Sequence, residues 1–179
     1  NNVDEIKLFE NMMFETHSLG KVKNKIINTE PIFRNSDLVN ISIRAVKSGD
    51  INNSHEFTNG LSSYEFCSLC RFAGLSTNLN LISFKSDYQS SAISSLVSEG
   101  IWYAIDGMDS VVEENIDVNS DNYIFYNVSV DNFDLKFVKS LLSNRWWVCL
   151  ENTNLVQMEK TYIPCVEDDY LLSKNSVLS

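Results

Sequence analysis

Ser42, Arg44 and Lys85 are the side chains whose positions first suggest chemistry. They stand toward the carboxyl ends of two strand-forming segments, Ser42 and Arg44 within Leu38–Val46 and Lys85 within Leu79–Asp87. In an open α/β sheet, ligands and metals bind at the carboxyl ends of the strands. A metal centre there needs carboxylates or histidines, yet these positions hold a hydroxyl and two fixed cations. The next acids after the two strand ends are Asp50 and Asp87, expected on loops. The pattern predicts strand ends built like a ligand site but supplied with the wrong donors.

Other reactive residue types form weaker constellations. Cys67 and Cys70 make a C-x-x-C inside a helical pattern, with no second closely spaced pair. A zinc site usually shows two such pairs, and a redox motif sits at a helix start where its thiolate is stabilised. With Cys149 and Cys165 on separate elements, four buried reduced thiols are expected, which suits a cytoplasmic chain. His17 and His55 lie far apart with no acid–nucleophile arrangement around them. Glu167, Asp168 and Asp169 read as the charged start of a last helix, complementing its dipole. Trp146 and Trp147 follow Arg145 on an expected strand. Consecutive strand residues face opposite ways, so one tryptophan is expected in the core and the other available for contact with a partner.

These residues must be positioned by a chain of 179 residues, long enough for one domain with a substantial core. Net charge of −10, with 14 scattered Lys and Arg, excludes a nucleic-acid backbone as the expected partner. The basic stretch Lys21–Lys25 reads as a solvated segment. The longest uncharged apolar stretch, around Ile101–Ile105, is too short to span a bilayer, and no basic segment followed by an apolar one marks a secretory signal. The chain begins at Asn1 rather than methionine, which suits a processed or excised piece of a longer protein.

Periodicity and punctuation give the elements. Ile6, Phe9 and Met13 predict an amphipathic helix over Asp4–Thr16, stopped by Leu19-Gly20. Residues 21–37 form a connector that Glu30-Pro31 holds extended. A strand over Leu38–Val46 precedes a polar loop over Ser48–Gly60. Ser62 or Ser63 caps the next helix with Glu65, and Gly74 ends it in the left-handed region. A strand over Leu79–Phe84 leads to a helix over about Ser91–Gly107, with Ile93, Leu96, Val97, Ile101 and Ala104 on one stripe. Residues 109–122 are a polar crossover. Beyond it come a strand (Tyr123–Val130), a helix (about Phe133–Leu142), a strand (Arg145–Leu150) and a last helix opening at Ile163–Tyr170.

Several pieces, in order, resemble the C-terminal half of the ureohydrolase family, which comprises arginases, agmatinases and formimidoylglutamases. Glu30-Pro-Ile-Phe-Arg-Asn-Ser-Asp-Leu-Val39 resembles the approach to the family's second metal-binding strand, and Ala45-Val-Lys-Ser-Gly-Asp50 resembles the segment just after that strand. Asn59-Gly-Leu-Ser-Ser-Tyr-Glu65, Arg71-Phe-Ala-Gly-Leu-Ser76 and Ile101-Trp-Tyr-Ala-Ile-Asp-Gly107 resemble the helices that come next. Phe137–Trp147 and Tyr162–Tyr170 resemble an extension of formimidoylglutamase-like members from Bacteroidetes. The resemblance implies an α/β fold, part of a three-layer α/β/α parallel sheet. Residues 1–108 would be the C-terminal half of an arginase-like domain, 109–122 a crossover loop and 123–179 a C-terminal α+β extension.

Family members hydrolyse guanidino or amidino C–N bonds with two Mn²⁺ ions. Such ions, roughly 3.5–4 Å apart, activate a shared water. On this sequence the family's Asp-x-Asp ligands fall on Ser42-Ile43-Arg44, and its substrate-side Glu falls on Lys85. The resemblance therefore implies a degenerate member without the dinuclear site or any other cofactor, acting as a structural or regulatory subunit. Another polypeptide, or the family's N-terminal half, would complete its sheet, and a buried Arg or Lys would replace the metal charge. The alternative is a piece of an active manganese-dependent amidine hydrolase whose ligands come from elsewhere. A third possibility is an unrelated α/β module.

Overall fold

The computed structural model describes residues 7–9, 11–12, 14–52, 57–130, 133–151 and 160–176. Residues 4–6, 10 and 13 of the expected Asp4–Thr16 helix lie outside them; residues 7–9 and 11 are helical, and residues 14–18 are not. A helix begins at the expected stop: the Ser18 hydroxyl accepts from the Lys21 amide at 3.4 Å and caps α1 (Leu19–Asn24). The expected extended connector is corrected too. A 3₁₀ turn (Ile26–Thr29) runs into α2 (Glu30–Phe33), with Glu30 itself helical at φ −54°, ψ −44°. Pro31 stands in the first turn, where its missing N–H removes no bond.

β1 (Leu38–Ser42) and β2 (Leu81–Lys85) pair in parallel, Leu38 opposite Leu81 and Ser42 opposite Lys85. β1 is shorter than expected because Ile43–Ala45 closes into a 3₁₀ turn. A one-turn helix, α3 (Ser48–Ile51), comes next. Val39, Ile41, Ile82 and Phe84 alternate on one face and pack against α4 (Ser63–Gly74) and α5 (Ser91–Asp109). The helical residues of that core are Phe66, Cys67, Cys70, Ala73, Ile93, Leu96 and Ala104. The opposite face carries Leu38, Asn40, Ser83 and Lys85, all exposed. The mixed α/β class is as expected. The described residues cover this pair on one face only, so they form two layers here rather than three.

α4 begins as the sequence indicates. The Ser62 hydroxyl accepts from the Glu65 amide, and Glu65 accepts from the Ser62 amide at 2.7 Å. Ser63 instead serves Asp50, which takes its amide at 2.7 Å and its hydroxyl at 3.0 Å. The Ser63 amide, helped by Lys47, holds the Asp50 carboxyl below its ordinary range. Burial pushes Glu65 up, but the Ser62 bonds and Lys23 together bring it below its usual value. Because both folded values are depressed, the contribution to stability is complete above the unfolded values of 3.8 and 4.5. It is lost as pH falls through the lower folded values. Denaturant unfolding between neutral and acid pH should show this loss, reduced in Asp50→Asn.

Gly74 is not a left-handed stop; it remains helical because α5 crosses it. A Cβ there would lie 2.0 Å from the Ala104 carbonyl oxygen, and one on Gly107 would lie 2.3 Å from that of Arg71. On the expected stripe of α5, Ile93, Leu96 and Ala104 are buried, whereas Ile101 is 44% exposed.

The C-terminal part is an antiparallel sheet in the order β3 (Tyr123–Val130), β4 (Phe133–Ser140), β5 (Trp146–Glu151), β6 (Lys160–Cys165), with α6 (Glu167–Ser176) after it. The helix expected over residues 133–142 is corrected to a strand and turn. Residues 133–140 pair with all of β3 and with Trp146–Cys149, so tertiary pairing overrides the i, i+3 spacing of their apolar residues. The last helix starts at Glu167, since Ile163–Cys165 complete β6. Residues 111–122, within the expected crossover, contain no helix or strand. Among the described residues no helix is long and apolar enough to cross a membrane.

Candidate functional site

The three sequence-selected residues do converge. Ser42 and Lys85 are register partners at the carboxyl ends of β1 and β2. Arg44 lies in the turn just beyond, its Nη1 3.7 Å from Asp87 Oδ2. Their environment departs from expectation. Arg44 and Lys85 are exposed, not buried, so neither can stand in for a buried metal charge. The Arg44–Asp87 pair is open to solvent and screened. Arg44→Ala and Lys85→Ala should each change unfolding free energy by less than about 0.5 kcal/mol, measured in urea.

The donor set does not fit two manganese ions. Two cations and a hydroxyl occupy the strand ends, and Asp87 faces Arg44. Asp50, on α3 rather than a loop, is committed to the start of α4. Among the described residues no cluster of three or more His, Cys, Asp or Glu could hold a metal ion.

A second constellation has almost no local signature in the sequence. Glu30, Arg34 and Arg145 are buried together where α2 meets the antiparallel sheet. Arg34 clasps Glu30 through Nε at 3.2 Å and Nη2 at 2.5 Å, and its Nη1 donates to the Trp146 carbonyl at 2.7 Å. Arg145 Nε lies 3.0 Å from Glu30 Oε1, and its Nη2 donates to the Leu75 carbonyl at 3.0 Å. One carboxylate therefore serves two guanidiniums. Burial draws Arg145 below its ordinary range, Glu30 opposes that, and Arg34 adds to it. The only sequence signals are the i, i+4 spacing of Glu30 and Arg34 and the Arg145-Trp-Trp triplet.

Both tryptophans are buried, which corrects the expectation of one free for a partner. Trp146 stacks on Tyr126 and Tyr170, at 5.3 and 5.1 Å between centroids. Trp147, on the other face of β5, lies beneath the Arg34 guanidinium at 4.8 Å. The sheet is packed on both sides at this point, so alternation does not expose either ring.

All four cysteines are buried and unbridged. Burial pushes the Cys70 and Cys165 thiols up to about 12, far from a reactive thiolate. His17 Nε2 lies 3.0 Å from Glu15, and His55 is outside the described residues. The acids of α6 behave as a charged helix start: Asp169 accepts from the Val166 amide at 2.9 Å, and Asp168 takes Lys25 at 2.5 Å. Lys21, Lys23 and Lys25 are exposed, as expected of a solvated stretch.

No family model, no curated protein and no solved structure matches the chain.

Proposed function

We propose that the chain is a degenerate ureohydrolase-family subunit, structural or regulatory rather than catalytic, whose parallel strand pair is completed by a second polypeptide. The observation that carries this reading is the β1–β2 pair. Among the described residues neither strand has a second neighbour, and Leu38 and Leu81 stand exposed at its margin. Parallel sheets are ordinarily covered on both faces, and a two-stranded sheet with open edges is a template for further pairing. The family's order of strand, helix, strand and helix, with the two ligand-bearing strands adjacent, is compatible with β1–α4–β2–α5. The partner is a polypeptide with further parallel strands and acidic groups to meet Lys85.

The non-catalytic half of the proposal is tested by elemental analysis of the protein purified with manganese present. The expected result is no stoichiometric metal. One or two manganese ions per chain, lost on substituting Ser42, would overturn it.

A further inference from the structure

Between α2, the end of α4 and the β4–β5 turn lies a cavity of about 640 Å³, within the usual range of small-molecule sites. It shares no lining residue with the Ser42–Lys85 strand ends. Phe72, Leu75, Val112, Leu142 and Trp146 give it an apolar wall, and Arg34 and Arg145 contribute buried guanidinium groups.

The cations at the mouth are already matched. Lys25 pairs with Asp168, and Arg71 with Asp106 at 2.7 Å. The buried pair differs. Arg34 uses all three nitrogens on Glu30 and the Trp146 carbonyl. Arg145 spends Nε on Glu30 and Nη2 on the Leu75 carbonyl, and its Nη1 has no acceptor among the described residues. Its side chain is only 9% exposed. Glu114 also acts on Arg145 by charge, but its carboxylate oxygens accept from Tyr123 Oη at 2.8 Å and from Ser143 Oγ. A buried guanidinium nitrogen without an acceptor is costly, and a carboxylate oxygen is a strong, charge-assisted acceptor for it.

We propose that this cavity binds a small monocarboxylate with an apolar body, its carboxylate on Arg145 Nη1 and its body on the Phe72, Leu75 and Val112 wall. A multiply charged anion fits less well, because Glu30, Glu114 and Asp168 all lie close by. The ligand class rests on a site separate from the strand ends, so the proposal stands or falls independently of the subunit reading.

The test is calorimetric titration of the full chain with phenylacetate, phenylacetamide and inorganic phosphate, with saturation-transfer NMR as a second readout. Phenylacetate is expected to bind one per chain at millimolar concentration or below. The neutral amide and phosphate should each bind at least about tenfold more weakly, the equivalent of about 1.4 kcal/mol. Arg145→Lys should lose a similar factor. Since Arg145 is buried and that variant could misfold, Leu142→Trp provides the second test. Leu142 is half exposed and lines the cavity, so the larger ring should block binding while unfolding stays unchanged. Absence of phenylacetate binding, equal binding of phenylacetamide or phosphate, or undiminished binding to folded Leu142→Trp would overturn the proposal.

Discussion

Glu30→Gln should destabilise the fold by about 3–5 kcal/mol, because it leaves two buried guanidiniums without their shared countercharge. Glutamine keeps the size and an acceptor oxygen, so the loss isolates charge from packing. Arg34 also carries the link to the second sheet, through the Trp146 carbonyl and the Trp147 ring. Losing its anchor should loosen the contact between α2 and β5, not merely α2. Near-ultraviolet circular dichroism of the stacked Trp146 should therefore change along with the urea midpoint. Replacing Glu30, Arg34 and Arg145 together by Leu, Met and Met should cost less than Glu30→Gln alone, since no unpaired charge remains. A larger loss in the triple variant would show that the trio acts through shape rather than charge.

Gly74→Ala should also destabilise, reversing the sign that helix propensity assigns. In an exposed helix the change gains about 1 kcal/mol. Here the added methyl would meet the Ala104 carbonyl at 2.0 Å, an atom of the facing backbone that cannot rotate away. The helices must part, and overpacking of this kind costs about 1–3 kcal/mol. Gly107→Ala meets the Arg71 carbonyl from the other helix and should behave alike. The double variant should lose less than the sum, because one separation of α4 and α5 relieves both contacts. Chemical denaturation of the three variants measures this.

The elements legible in the sequence are those where local and tertiary preferences agree. Ser62 and Glu65 mark the start of α4, and the alternation of Val39 and Ile41 marks the buried face of β1. Misread segments are those where two patterns compete. Phe133, Leu135 and Phe137 alternate as a strand does, while Val138, Leu141 and Leu142 repeat as in a helix; eight partners on β3 decide for the strand. Gly74 has the composition of a cap, but its role depends on Ala104, thirty positions on, which no local rule contains. The strand-end residues are legible relative to one another, as the Ser42–Lys85 register shows. Their exposure is not, because it depends on what covers the sheet. The buried trio draws on positions more than a hundred residues apart, so only the folded chain brings Glu30 and Arg145 together.

The central claim is that the β1–β2 pair belongs to a larger sheet shared with another polypeptide. Size-exclusion chromatography with multi-angle light scattering on the isolated chain tests it most directly. The account expects concentration-dependent association or aggregation, reduced when the exposed Leu81 is changed to lysine. A stable monomer whose mass does not vary with concentration would contradict it.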